Sequence, residues 1–378
     1  MIIYYKSISS IFFLFFLVAI FYWSPFLDTQ FIALFKFLIL ILLFSSFIFF
    51  KKYLNLSKFQ VAFSFFMILW AIMYEVFLDM DLSYLKIVIL SLIFYSMGVG
   101  TYFEKNKNYP LYSFLLTITS LWVFLSFFYP NLNYQNNLLV DYEYSEVMLS
   151  SSGFSLGRTG WGIAIFFVSL FFINFLKSNL LKTIIFILGF LSVCTTGSRG
   201  GELYFFLSIL FYIGYYLKDL KVKILFFVAM FLFFGYIYFS LGEVLRLSNN
   251  DDFFNGRIIS REVVYRLLTD HFLFGYYSVG GYSLDSFGVG YKEIHNAWLN
   301  FFIKYGLLGS IPMFLFLGYG LKGIFHNKKY FKDNLSLYLI IIVGIVSTFL
   351  EPETIFSYGY HILIFWFTLG YLSKNKTC

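Results

Sequence analysis

Long, nearly unbroken apolar runs recur along this chain, and no other feature constrains its fold as strongly. Ile8 to Trp23 and Leu335 to Leu350 are examples. A bilayer core of ~30 Å needs ~20 mostly apolar residues per helix. Backbone in lipid must satisfy its own hydrogen bonds, which leaves only helices or closed barrels. The runs are too long and continuous for barrel strands, so they predict helices. Composition agrees, with 60% hydrophobic residues, 12% charged and 25% aromatic, including 56 Phe and 32 Tyr. Soluble domains are typically ~25% charged. A water-soluble fold of 378 residues would leave much of this apolar surface as sticky patches. A soluble enzyme, a disordered chain and a disulfide scaffold are thereby excluded.

The periodic runs predict an all-α integral membrane protein with about twelve spans. They fall near 8–23, 31–50, 59–78, 85–102, 111–128, 160–176, 181–196, 202–217, 224–241, 296–317, 336–350 and 355–372. The first run lacks a small-residue cleavage site behind it and reads as a span rather than a signal peptide. The whole of 1–378 reads as one polytopic membrane domain, with short connections apart from the polar stretch 129–159 and the loop 242–295. That loop, between spans nine and ten, is long enough for a small, partly helical subdomain.

Lysines set the expected orientation. With the N-terminus inside, seventeen of the twenty-one Lys fall in cytoplasmic connections or at the termini. Both termini are then cytoplasmic, and both long loops lie outside. All six arginines, Arg158, Arg199, Arg246, Arg257, Arg261 and Arg266, fall on the outer side. Lys serves topology as well as Arg does, so the segregation points to another task. Arg is a fixed fork that grips phosphate or carboxylate through two hydrogen bonds, whereas Lys is a mobile point charge. Ion pairs with the outer acids are the plainer explanation; an outward-facing phosphate or pyrophosphate site is the functional one.

Three constellations carry possible chemistry. Thr195-Thr196-Gly197-Ser198-Arg199-Gly200-Gly201 joins spans seven and eight. Gly197 can close the incoming helix and Ser198 can cap the next, whose N-terminus favours an anion beside Arg199. The two glycines after Arg199 admit close approach of another backbone or a ligand. The second is Arg257 to Leu268, an amphipathic outer helix with Arg257 and Arg261 one turn apart. It is bracketed by Gly256 and by Leu273-Phe274-Gly275. A helix lying flat on the headgroups would look similar. The third is His295-Asn296 opening span ten, followed by Gly306-Leu307-Leu308-Gly309. The positive end of a helix disfavours imidazolium and keeps a His neutral, as a general base must be. Cys194 and Cys378 suggest no bridge, and no His, Cys, Asp or Glu spacing suggests a metal site.

In this order, Ser198-Arg199-Gly200, Gly256-Arg257 with Leu273-Phe274-Gly275, and His295-Asn296-x-x-Leu299 with the Gly306–Gly309 motif resemble the O-antigen polymerase and ligase superfamily of bacterial membrane glycosyltransferases. Gly157-Arg158-Thr159-Gly160 resembles a further element of that family. The resemblance implies a GT-C-like fold and a metal-independent transferase without cofactor. It implies a glycan donor linked to undecaprenyl pyrophosphate, used on the outer face of the plasma (inner) membrane. It also implies His295 as the base, Arg199 and Arg257 as pyrophosphate ligands with catalytic roles, and Arg158, Ser198, Arg261 and Asn296 as substrate contacts. Arg261 is the alternative to Arg257 for the loop position.

The expected partners are lipid-linked donor and acceptor glycans and the bilayer, with a chain-length regulator as a candidate and no nucleic acid. The short, Phe/Tyr/Lys-rich chain looks most like a repeat-unit polymerase of O-antigen or capsule. A ligase acting on lipid A-core is the alternative within the family. A polysaccharide flippase is the alternative outside it, though no internal repeat is evident and clear mid-span charges are limited to Lys36 and Lys304.

Overall fold

The computed structural model describes residues 58–78, 82–100, 158–176, 178–196, 199–217, 261–276, 294, 296–326, 334–349, 355–356 and 360–373, with single positions between 219 and 228. Among these, every regular element is helical and no strand occurs. The helices are α1 Lys58–Leu78, α2 Ser83–Gly100, α3 Arg158–Phe175, α4 Asn179–Thr196, α5 Arg199–Tyr216, α6 Arg261–Asp270, α7 Ala297–His326, α8 Leu335–Ser347 and α9 Tyr360–Ser373. Eight of them coincide with expected spans, and α6 with the expected loop helix. The spans expected near 8–23, 31–50 and 111–128, and most of 224–241, lie outside the described residues. By length and apolarity Lys58–Phe77 is long enough to cross a membrane; Ala297–Phe325 also qualifies by residue count, but it bends back at Gly306. Six shorter apolar helices accompany them.

Neighbouring contacts fix the relative directions. Gly189 of α4 meets Ser169 of α3, and Gly201 of α5 meets both Val193 of α4 and Gly162 of α3. Hence α3 and α5 run parallel and in contact, with α4 antiparallel to both. Asn174 Nδ2 donates to Asn334 Oδ1 (3.4 Å) and Tyr212 pairs with Ser336 (2.6 Å), so α8 starts where α3 and α5 finish. A buried aromatic core threads these helices, with Phe166, Phe167, Phe171, Phe205, Phe316 and Trp366 almost wholly inaccessible. The tightest helix pair is α2 with α9. A Cβ on Gly98 would lie 2.1 Å from the Phe367 carbonyl, and one on Gly370 would lie 2.0 Å from that of Tyr95. Small residues that let backbones touch are how helices associate where lipid removes the hydrophobic drive.

Helix α7 departs from the expected single span. Gly306 has φ 63° and ψ −171°, a region essentially restricted to glycine, and it splits α7 into two limbs. The limbs fold back on each other. The Trp298 and Phe314 rings are 5.0 Å apart, and Ser310 Oγ lies 3.4 Å from the Phe301 carbonyl. In a straight helix residues 298 and 314 would be ~24 Å apart. Residues 307–326 run antiparallel to α1, with Trp70 at Leu308, Phe63 at Phe316 and Phe59 at Tyr319. Residues 297–305 run the other way. The apolar run continues through the break, which is why it read as one helix. Pro312 lies in the second limb and marks no break.

Candidate functional site

The site grows from helix N-termini gathered at one end of the bundle. Helices α3 and α5 begin side by side because Gly162 and Gly201 meet without side chains. A Cβ on Gly201 would sit 3.1 Å from the Gly162 backbone and 2.8 Å from Val193. The approach that Gly200-Gly201 allowed is therefore made, at Gly201, by another backbone. Arg158 and Arg199 head these two helices, and their backbones share this end.

The start of α7 reaches the same level through α8. The Ala297 N–H donates to the Thr348 carbonyl (2.7 Å), and Trp298 Nε1 donates to Thr348 Oγ1 (2.6 Å). Thr348 ends α8, twelve residues beyond the Ser336 that pairs with Tyr212, which is itself thirteen residues into α5 from Arg199. At 1.5 Å per residue these distances are ~18 and ~20 Å, so the N-termini of α5 and α7 are level to within about one turn. The α7 start lies against the end of α8.

Asn296 caps α7. Its Oδ1 accepts from the Leu299 N–H (3.1 Å), and its carbonyl starts the helical ladder at Asn300 N–H (2.8 Å). An Asn at this position satisfies a donor that the helix leaves open. The expected substrate-binding Asn296 thus uses its side-chain oxygen to cap the helix.

The loop helix α6 docks on the first limb of α7. Leu267, Ile294 and Ile303 form a small buried cluster, joined by Val263, Leu268, Tyr276 and Leu299. Ile294 immediately precedes position 295, and Val263 lies two residues after Arg261. The cluster therefore ties the arginine helix to the chain around position 295. At its far end, Tyr276 packs edge-on against His271 (4.5 Å) and lies 3.4 Å from Asp270 Oδ2. Burial, reinforced by the Asp270 carboxylate, pushes the Tyr276 hydroxyl above its usual range and keeps it a donor.

The start of α7 is recessed. Trp298 lies at the depth of Phe314, eight residues past the break and so ~12 Å along the second limb. Non-helical backbone at that depth is sheltered by protein: Ile294, Thr348, Ile355 and Phe356 are all buried. Phe356 packs edge-on against Trp298 and tilted against Phe301 and Phe314.

Among the expected site residues, Arg158, Arg199 and Arg261 are placed by their backbones and Asn296 by its side chain. Ser198, Arg257 and His295 lie outside the described residues. Among the described residues no group of three His, Cys, Asp or Glu is spaced to hold a metal ion. Sequence reading missed Glu75, a buried acid whose Oε1 accepts from Leu85 N–H (2.9 Å) at the start of α2. It also missed Tyr74 and Trp70, which bind the broken part of α7. No motif marks them; an acid inside an apolar run was the available signal for Glu75.

Residues 184–314 match the family model described as O-antigen ligase. The matched stretch is about a third of the chain and runs from α4 through α5 and α6 to the folded part of α7. It contains Arg199, Arg257, Arg261, His295, Asn296 and the Gly306 break, but not Arg158. No curated protein matches the sequence. The match and the apolar helices support an integral membrane protein with O-antigen polymerase- or ligase-type function.

Proposed function

We propose that this chain polymerises undecaprenyl-pyrophosphate-linked oligosaccharide repeat units into O-antigen or capsular polysaccharide at the outer face of the plasma membrane. The observation that carries the reading is that the matched stretch holds together the capped start of α7 next to position 295 and the arginine helix α6 docked on it, and also contains the α5 start with Arg199. In this reading the acceptor hydroxyl attacks the anomeric carbon of the donor. The bond from that carbon to the pyrophosphate oxygen breaks, and His295 takes the hydroxyl proton. Negative charge grows on the leaving pyrophosphate. In this reading Arg199 and Arg257 hold it by fixed forks, Arg158 and Arg261 serve as substrate contacts, and the N-terminus of α5 adds oriented N–H groups. No step needs a metal. Transfer to lipid A-core uses the same donor and is the second reading, favoured by the description of the matched model.

The test uses purified, bilayer-embedded protein, lipid-linked repeat units and EDTA. His295→Ala is expected to slow transfer by roughly 10²–10⁴-fold, with His295→Gln nearly as damaged. Arg199→Lys and Arg257→Lys are expected to lose most activity although charge is kept, and Arg246→Lys to retain it. Near-normal turnover in His295→Gln excludes base catalysis there. Loss of wild-type activity in EDTA excludes the metal-free route. Transfer to lipid A-core with no polymer selects the ligase.

A further inference from the structure

The break in α7 is not open. Leaving a helix at Gly306 strands the last carbonyls of the first limb and the first N–H groups of the second. The turn after α6 fills the gap with its own backbone. Leu307 N–H donates to the Phe272 carbonyl (2.8 Å), and Leu308 N–H donates to that of Leu273 (3.1 Å). Gly275, at φ +72°, lies against Gly306: a Cβ on Gly275 would sit 2.3 Å from the Lys304 carbonyl and 2.4 Å from Gly306 N. A Cβ on Gly306 would in turn sit 2.4 Å from Gly275 N. Two sequence motifs thirty residues apart, Leu273-Phe274-Gly275 and Gly306-Leu307-Leu308-Gly309, are thus the two sides of one contact.

Tyr74 of α1 bridges that contact. Its hydroxyl lies 2.5 Å from the Phe274 carbonyl and 2.7 Å from the Tyr305 carbonyl. One carbonyl belongs to the loop and the other to the end of the first limb. A hydroxyl carries a single proton, so the two carbonyls share it. Without it, two inward-facing carbonyl dipoles would be left beside each other with that donor gone. The ring is held independently, packed on Tyr84 (4.9 Å), whose own hydroxyl donates to the Gly309 carbonyl.

We propose that the 272–275 turn is a latch that holds the arginine helix α6 in register with the start of α7, and that Tyr74 is the positioning residue that keeps it closed. The inference rests on the proposed transferase reading, in which α6 brings pyrophosphate-gripping arginines to position 295. It adds that their placement is set from the break, by a residue of α1 outside the matched stretch. Held at both the Leu267 cluster and the latch, α6 cannot swing. Released at the latch, it pivots on that cluster alone.

Tyr74→Phe removes the bridging proton and leaves the ring packing. The full chain in bilayer discs is compared with wild type by hydrogen exchange and by transfer kinetics with varied lipid-linked donor. The expected result is faster exchange in 261–276 and at Leu307 and Leu308, with α3 to α5 unchanged. Donor kcat/KM falls about ten- to hundredfold, mostly through KM. Gly275→Ala is expected to give the same pattern more severely, and Tyr74→Phe stands alone if that variant does not fold. Unchanged exchange in Tyr74→Phe overturns the latch. Released exchange with unchanged kcat/KM overturns the positioning role. A wild-type chain that protects 272–276 yet transfers no glycan overturns the transferase reading, and the positioning role with it, while the protection itself remains.

Discussion

Helices α2 and α9 and the folded helix α7 both depend on glycine, for different reasons. In the α2/α9 pair, Gly98 and Gly370 are ordinary helical residues whose missing Cβ lets two straight rods touch. In α7, Gly306 supplies a backbone conformation that other residues rarely adopt, and Gly275 supplies a matching one in the loop. The first use builds a rigid wall. The second turns an apolar run into a recessed helix start with a loop locked onto it. Apolar continuity does not distinguish the two, although only the second reverses the chain and docks a loop helix on it.

The contrast is sharpest inside α7 itself. Gly306→Ala places a Cβ against backbone atoms and in a strained φ/ψ region, at a cost of at least about 3 kcal/mol. It is expected to abolish transfer or folding, lowering transfer by more than ~100-fold. Gly318, on the second limb, has nothing within 4 Å of a Cβ. Gly318→Ala is expected to be neutral or to stabilise by about 0.5–1 kcal/mol. Equal effects of the two, in paired transfer and thermal-unfolding assays, would remove the distinction between the limbs.

Gly370→Ala tests the straight pair. The α2 and α9 backbones must separate to admit a Cβ, which typically costs 1–3 kcal/mol. A lower unfolding temperature is expected with transfer largely kept in the fraction that remains folded, since this contact lies away from the helix starts. Loss of transfer without loss of stability would show that the wall also shapes the site.

The smallest effect concerns the cap. Asn296→Ala is expected to cost about 0.5–2 kcal/mol through the lost bond to Leu299 N–H. Asn296→Asp keeps the acceptor, so stability should return while donor KM rises, because a carboxylate would face the pyrophosphate. Full recovery of donor affinity in Asn296→Asp would separate Asn296 from the anion site and leave it a cap alone.

Much of this was legible because lipid imposes simple rules. Apolar runs near residues 59–78, 181–196 and 336–350 became α1, α4 and α8, with ends displaced by at most three residues. The loop helix was visible in the spacing of its apolar and arginine residues, although Arg257 falls outside the described stretch and the helix begins at Arg261. What was not legible was the reversal at Gly306. Residues 297–326 are apolar on both sides of it, and a buried half-helix needs the same composition as a spanning one. The partners of the break were hidden for a related reason. Tyr74 and Trp70 are ordinary aromatics in a chain rich in them, and only their distance to the Phe274, Tyr305 and Leu308 carbonyls gives them a task.

The sequence by itself determined the class of the molecule, the positions of most described helices and the order of the motifs, because burial in lipid depends on local composition and length. The tertiary structure alone decided that α7 folds back, that the 272–275 turn closes its break, and that the α7 start lies against the end of α8. Those outcomes depend on backbone donors and acceptors being satisfied across large sequence separations, and a carbonyl carries no mark in the sequence of which donor will reach it.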